Sequence, residues 1–145
     1  MPCKIVVVGL KDDNCLVELN HLPSNARVIA YGCNLKELEE SGDDFSDANV
    51  IYNIAGTAAT LPSIIARMPH LTWIHSLTAG VDHILCPAIT THPTLTLTNA
   101  KGVYSSSLGE YVIGACLYFA KDFGRLNQQK ADKEWNRFDM KELKG

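Results

Sequence analysis

No two glycines in this chain are separated by a single residue, although it has 10 of them among 145 residues. A Gly-x-Gly-x-x-Gly loop, which wraps a dinucleotide pyrophosphate at a helix N-terminus, is therefore absent. Cysteine is sparse and scattered: the 5 residues Cys3, Cys15, Cys33, Cys86 and Cys116 form no Cys-x-x-Cys pair. Neither a zinc site nor a disulfide framework is signalled, so no metal is expected and the thiols read as reduced in a cytoplasmic protein. Positive charge is not in excess, with 13 Lys plus Arg against 16 Asp plus Glu and a formal net charge of -3. A general nucleic-acid binder needs a positive face to displace counterions from phosphates, so that class is excluded. No apolar run approaches the roughly 20 residues of a membrane span. The start, Met1-Pro2-Cys3-Lys4-Ile5, lacks the apolar stretch and small-residue cleavage site of a secretory signal.

What is present suits one buried core, with 46% hydrophobic and 20% charged residues. Residues 4–9, Lys-Ile-Val-Val-Val-Gly, form a continuous β-branched run ending in Gly. Such a run predicts a strand covered on both faces. A short helix is expected over 13–21 with Leu16, Val17 and Leu19 inward. A second strand is expected from Ala26 to Tyr31, and a weak acidic helix around Leu35 to Glu40. Ser41-Gly42-Asp43-Asp44 reads as a loop. Val50 to Ile54 is the third strand. Ile64, Ile65 and Met68 mark a helix closed by Pro69, Leu71 to Leu77 is the fourth strand, and Thr94 to Thr98 the fifth. The fifth alternates leucine with threonine, as at a sheet edge.

Strands separated by helical connections imply right-handed crossovers and an α/β fold: a flavodoxin-like, doubly wound, parallel five-stranded sheet ordered 2-1-3-4-5. Ligands of such sheets sit beyond the carboxyl ends of the strands. That directs attention to Gly9–Asp13, Asn53–Thr57, Thr78–Asp82 and Asn99–Gly102. A long apolar helix is expected from Ser105 to Phe123, with Ser105, Ser106 and Ser107 as alternative N-caps. Its apolar residues occupy too many sides for a surface helix, so cover from a partner domain or subunit is expected. The remainder, Arg125 to Gly145, reads as a polar linker anchored by Trp135 and Phe138. The expected division is a flavodoxin-like domain over 1–104 and an interdomain helix with linker over 105–145.

Several stretches, in one order, resemble the D-2-hydroxyacid dehydrogenases. Pro69-His70-Leu71-Thr72-Trp73-Ile74 looks like that family's run into strand four, and Thr78-Ala79-Gly80-Val81-Asp82-His83-Ile84 like its glycine-centred loop. Thr98-Asn99-Ala100-Lys101-Gly102 resembles the segment after strand five, and Ser107-Leu108-Gly109-Glu110-Tyr111 the start of the family's Ala-Glu helix. Trp135 and Lys141-Glu142-Leu143-Lys144-Gly145 resemble the run into the first strand of the NAD-binding domain. Gly109 stands where the family commonly has Ala, and Leu108 where some relatives place a polar cofactor contact.

The resemblance implies the substrate-side part of an enzyme that moves a hydride between NAD or NADP and a small D-2-hydroxy or 2-oxo acid. It implies that the amides of Ala79 and Gly80 hold the substrate carboxylate, that Asn53 to Gly56 form the opposite rim with Ala55 nearest the ligand, and that Thr78 touches the cofactor. It also implies that the catalytic Arg, Glu and His lie in the cofactor domain and that the complete enzyme is a homodimer. The chain is accordingly expected to be a fragment, inactive by itself and without tight cofactor binding. His75 and His83 flank the glycine loop and could be read as general bases. The plainer reading packs His75 at a strand end and leaves His83 facing solvent. Asp82 is expected to cap the next helix. Glu110 reads as bonding backbone or a partner, and Lys101 as solvated.

Two readings of other classes remain: a non-catalytic dimerisation module on the 105–123 helix, and a receiver-like signalling domain of the same fold. The receiver layout has Asp12 and Asp13 after strand one, Ser76 and Thr78 at strand four and Lys101 after strand five, but Asn53 stands where the acceptor aspartate should end strand three. An amide cannot form an acyl phosphate, so only a pseudo-receiver would fit. Acetyl phosphate with magnesium should leave the chain unmodified, and a stable phosphoaspartate found by mass spectrometry would restore the receiver reading.

Overall fold

The computed structural model describes residues 2–41 and 44–144. Gly42 and Asp43 of the expected loop lie outside the described residues. The chain forms two compact units, Met1–Lys101 and Gly102–Gly145. The first contains β1 (Cys3–Val8), a 3-10 helix (Asn14–His21), β2 (Ala26–Tyr31), α1 (Leu35–Glu40), β3 (Val50–Asn53), α2 (Leu61–Ile65), β4 (Trp73–Ser76), α3 (Pro87–Thr90) and β5 (Thr96–Asn99). The strands pair in parallel in the order β2-β1-β3-β4-β5, the flavodoxin-like order expected.

Side chains alternate across a strand, so β1 feeds two cores. Val6 and Val8 point into the larger one with Ile51, Ile74, Leu38 of α1, Leu61 and Ile64 of α2, and Ile89 of α3. Ile5 and Val7 point the other way, against Val50 and Leu16 of the 3-10 helix. Burial on both faces explains the unbroken apolar run of β1. The second face is apolar but thinly covered toward β5: Trp73 is 41% exposed and Thr96 and Thr98 are exposed. There the Trp73 indole N–H donates to Thr98 Oγ1 at 2.8 Å and His75 stacks on Tyr52 at 5.8 Å.

Three local expectations change. Residues 14–21 form a 3-10 rather than an α-helix, and Val17 is 56% exposed, because the tighter winding turns it away from Leu16 and Leu19. Asp82 caps nothing among the described residues: 82–84 form a turn, and α3 begins only at Pro87, with Cys86 before it. Pro87 is suited to that first helical position, since the N–H it lacks would have no partner there.

The second unit holds α4 (Ser105–Ala120) and α5 (Phe123–Asp132). No residue of α4 is buried, although its sequence is apolar on most sides. Within the tail expected as a linker, Phe123–Asp132 is helical. Asp122 adopts a left-handed conformation (φ 48°), which ends one helix, and its side chain accepts from Arg125 N, which starts the next. Trp135 is 89% exposed and is no packing anchor within this unit, whereas the Phe138 ring lies 4.2 Å from the Arg125 guanidinium. Among the described residues no helix is long and apolar enough to cross a membrane.

Helix α1 is short and depends on its N-terminal lock. Asn34 Oδ1 accepts from Glu37 N at 3.1 Å, while the Glu37 carboxylate accepts from Cys33 N at 2.7 Å and Asn34 Nδ2 at 2.6 Å. Asn34→Ala should cost about 1 kcal/mol, read as a lower thermal midpoint. The Cys33 backbone N–H holds the Glu37 carboxyl below its ordinary range. A depressed acid stabilises above its unfolded pKa, and that stabilisation is lost as pH falls through the folded value. Acidification should therefore lower the melting midpoint of the native chain more steeply than that of Glu37→Gln.

Candidate functional site

All strands of the parallel sheet end on one side, and the segments following β1, β3, β4 and β5 are sewn together there by main-chain bonds. Ile54 N and Ala55 N both donate to Val8 O, at 3.0 and 2.9 Å. Leu77 N donates to Asn53 O at 3.0 Å, Ala100 N to Thr78 O at 3.2 Å, and Ala58 N to His83 O at 2.8 Å. The Asn53–Thr57, Thr78–Asp82 and Asn99–Lys101 segments thus form one rim. Of the Gly9–Asp13 segment, Gly9 packs on Ile54 of this rim. Beyond Gly9 the chain turns aside to β2, bounding a separate hollow of about 320 Å³ with Lys11, Tyr31 and Gly32.

The glycine-centred loop has a definite polarity. Three successive carbonyls are occupied: Thr78 O accepts from Ala100 N, Ala79 O from Asn99 Nδ2 at 2.7 Å, and Gly80 O from Thr78 Oγ1 at 2.7 Å. Every described peptide is trans, so each N–H points opposite to the carbonyl of its own plane. Pinning these carbonyls turns the N–H groups of Ala79, Gly80 and Val81 the other way, and none of the three donates to a described residue. Ala79 and Gly80 are exposed. The result is a run of exposed, fixed backbone donors of the kind that can take an anion.

Gly80 needs no left-handed backbone, and the nearest atom to a Cβ built there would be Asp82 Oδ2 at 3.7 Å. The fold would accept a side chain at this position. Its absence leaves the space above the free amides clear.

Buried polar groups support the loop from beneath. Ser76, fully buried, lies with its Oγ 2.8 Å from Thr78 Oγ1. The Thr78 hydroxyl has one proton, committed to Gly80 O, so Ser76 is the donor between the two. Asn53 is 1% exposed and closes a ring with Gly56: its Oδ1 accepts from Gly56 N at 2.9 Å and its Nδ2 donates to Gly56 O at 3.3 Å. That ring carries Ala55, exposed at the tip, whose N–H is already used by Val8 O. Ala55 therefore offers a methyl and a carbonyl to the rim and no donor.

The two histidines stay outside this arrangement. His75 sits on the open sheet face with its Nδ1 2.8 Å from Thr98 Oγ1, and His83 is exposed after the loop. Lys101 is exposed, and Glu110 lies exposed on α4. No group of metal-ligating side chains occurs among the described residues. Asp13, one of the receiver-like acids, accepts from Cys15 Sγ and Cys15 N, and these bonds hold its carboxyl below the ordinary range. Asn53 and Asn99 lie in segments that the sequence directed attention to, and Ser76 entered through the receiver-like layout, but the bracing of the loops by these three side chains was not read from sequence. The available signal was their polarity at the last position of three strands, β4, β5 and β3.

No family model matches the chain, and no curated protein does. Solved structures do. A D-isomer specific 2-hydroxyacid dehydrogenase family protein from Aeromonas salmonicida superposes over 100% of this chain and 44% of its own, with a TM-score of 0.65 and 22% identity. An NADPH-dependent glyoxylate/hydroxypyruvate reductase from Sinorhizobium meliloti, in complex with NADP and sulfate, gives 0.61 and 21% over 97% of this chain and 42% of its own. A probable 2-hydroxyacid dehydrogenase from Rhizobium etli, in complex with NADP, HEPES and L(+)-tartaric acid, gives 0.62 and 20% over 95% and 41%. This chain therefore spans about two fifths of the length of each of these proteins. What they share with it is the fold of that portion.

The Asn53–Gly56 ring leaves no room for a methyl. A Cβ on Gly56 would stand 2.2 Å from Asn53 Oδ1 and 2.8 Å from Leu61 Cδ2. Gly56→Ala should destabilise the chain by about 1–3 kcal/mol through overpacking, measured by urea unfolding. Gly80→Ala should be close to neutral in the same measurement.

Proposed function

We propose that residues 1–145 supply the carboxylate-binding half of the active site of an oxidoreductase. That enzyme transfers a hydride between NAD or NADP and a small D-2-hydroxy or 2-oxo acid, as a D-2-hydroxyacid dehydrogenase does. The observation that carries this reading is the set of unpartnered amides at Ala79 and Gly80, aimed outward because the carbonyls behind them are occupied. A carboxylate needs donors, and fixed main-chain N–H groups provide them without side-chain entropy loss. In this reading Ala55 walls the substrate from the other side with its methyl, and Thr78 meets the edge of the cofactor with its remaining surface. The dehydrogenase names of the solved structures with this fold support the assignment.

The chain's own residues do not form a dinucleotide site. The turn after β1 leads into a 3-10 helix where the Cys15 N–H donates to the Asp13 carboxylate and the Leu16 N–H to the Asp13 carbonyl, whereas a pyrophosphate would require free donors and no negative charge. The cofactor-holding groups, and the Arg, Glu and His that would grip the substrate and move its proton, belong in this reading to protein outside residues 1–145. We further propose that the complete enzyme is a cytoplasmic homodimer and that α4 is covered within it.

Two charge-assisted hydrogen bonds open to water support affinity of about a millimolar at best. Titrating the isotopically labelled chain with sodium glyoxylate should move the Ala79 and Gly80 amide resonances, while sodium chloride at equal ionic strength should not. The same chain should oxidise no NADH with glyoxylate. Unmoved amides at high glyoxylate would overturn the carboxylate assignment, and turnover would overturn the division of labour.

A further inference from the structure

The tip of the glycine-centred loop has no side chain able to anchor it: Ala79 ends at a methyl and Gly80 at hydrogen. Its orientation must be imposed through the main chain. Two neighbouring residues of the edge strand's end impose it. Asn99 stands opposite Ser76 in the β4–β5 register and reaches back to the loop, its Nδ2 donating to Ala79 O at 2.7 Å. Its other amide atom, Oδ1, faces Lys101 N at 3.4 Å. With the oxygen end on a donor and the nitrogen end on an acceptor, the side-chain amide has only one consistent orientation.

The Ala79 carbonyl and the Gly80 N–H belong to the same peptide plane and point in opposite directions. The Thr78 carbonyl and the Ala79 N–H share the plane before it, and that plane is held by Ala100 N. Each donor thus has a separate handle: Asn99 for the Gly80 N–H and the Ala100 main chain for the Ala79 N–H. Resting on the carboxylate reading above, we infer that Asn99 is a positioning residue that aims the Gly80 N–H at the substrate carboxylate by pinning the Ala79 carbonyl.

Separate handles make the inference testable donor by donor. In the labelled chain, Asn99→Ala should shift the Ala79 carbonyl carbon without ligand. It should weaken glyoxylate binding roughly tenfold to thirtyfold, the loss of about one of the two charge-assisted bonds. The glyoxylate response of the Gly80 amide should collapse while that of Ala79 persists. Asn99→Gln, which restores a side-chain NH₂, should recover part of the Gly80 response. The resonances of Val6 and Ile51 in the core should stay in place, and where Asn99→Ala fails this check, Asn99→Ser serves for the same measurement. Loss of both amide responses together, or of neither, overturns the positioning role while leaving the carboxylate site standing. Absence of any response in the native chain overturns the carboxylate reading and this inference with it.

Discussion

A strand that pairs in parallel with its neighbour must end on the same side of the sheet, and the chain must cross a face to start the next strand. That constraint governs what this molecule can build. Five parallel strands bring the ends of β1, β3, β4 and β5 to one edge, where the last backbone groups of each strand lose their ladder partners. Buried main-chain groups cannot stay unpaired. Here they pair between loops, Val8 with Ile54 and Ala55, Asn53 with Leu77, and Thr78 with Ala100. The rim is thereby assembled by the same bonds that terminate the sheet. The free amides of Ala79 and Gly80 are what remains after that pairing is complete.

Polar residues under the rim extend the same logic. Asn53 and Ser76 are the two buried polar side chains of the described core, and both spend their hydrogen bonds on shaping loops. Asn53 closes the turn beneath Ala55, and Ser76 acts through the Thr78 hydroxyl on the Gly80 carbonyl. A residue that reads from sequence as a failed phosphoacceptor is, in the fold, an internal turn brace. The loop surface carries few polar side chains of its own, and the role proposed for it leaves acid–base work to groups from elsewhere.

Legibility in the sequence followed the strength of the periodic signal. The strand β1 was plain because burial on both faces leaves an unbroken run of valines. Helix α5 was missed because Phe123–Asp132 offers only Phe123 and Leu126 as large apolar residues. Its evidence lay instead in good helix formers, Arg, Leu, Gln, Lys and Ala, and in a capping aspartate that a search for apolar stripes overlooks. Val17 was assigned inward on α-helical spacing, and the 3-10 winding of 14–21 moved it out. Asp82 looked like a cap, yet the chain turns once more before α3 begins at Pro87.

The sequence by itself determined the class of fold, the strand order and the edge at which the strands end. Those follow from hydrophobic patterning and from the right-handedness of crossovers, which nearly all α/β chains share. It also determined that no dinucleotide loop exists within these residues, since that requires glycines at a fixed spacing. Only the tertiary structure decided which way the loop amides face. Their direction depends on Asn99 and Ala100, about twenty residues along the chain and adjacent only because β5 pairs with β4. A peptide plane takes its orientation from the partner of its carbonyl, and that partner is a matter of contact in space.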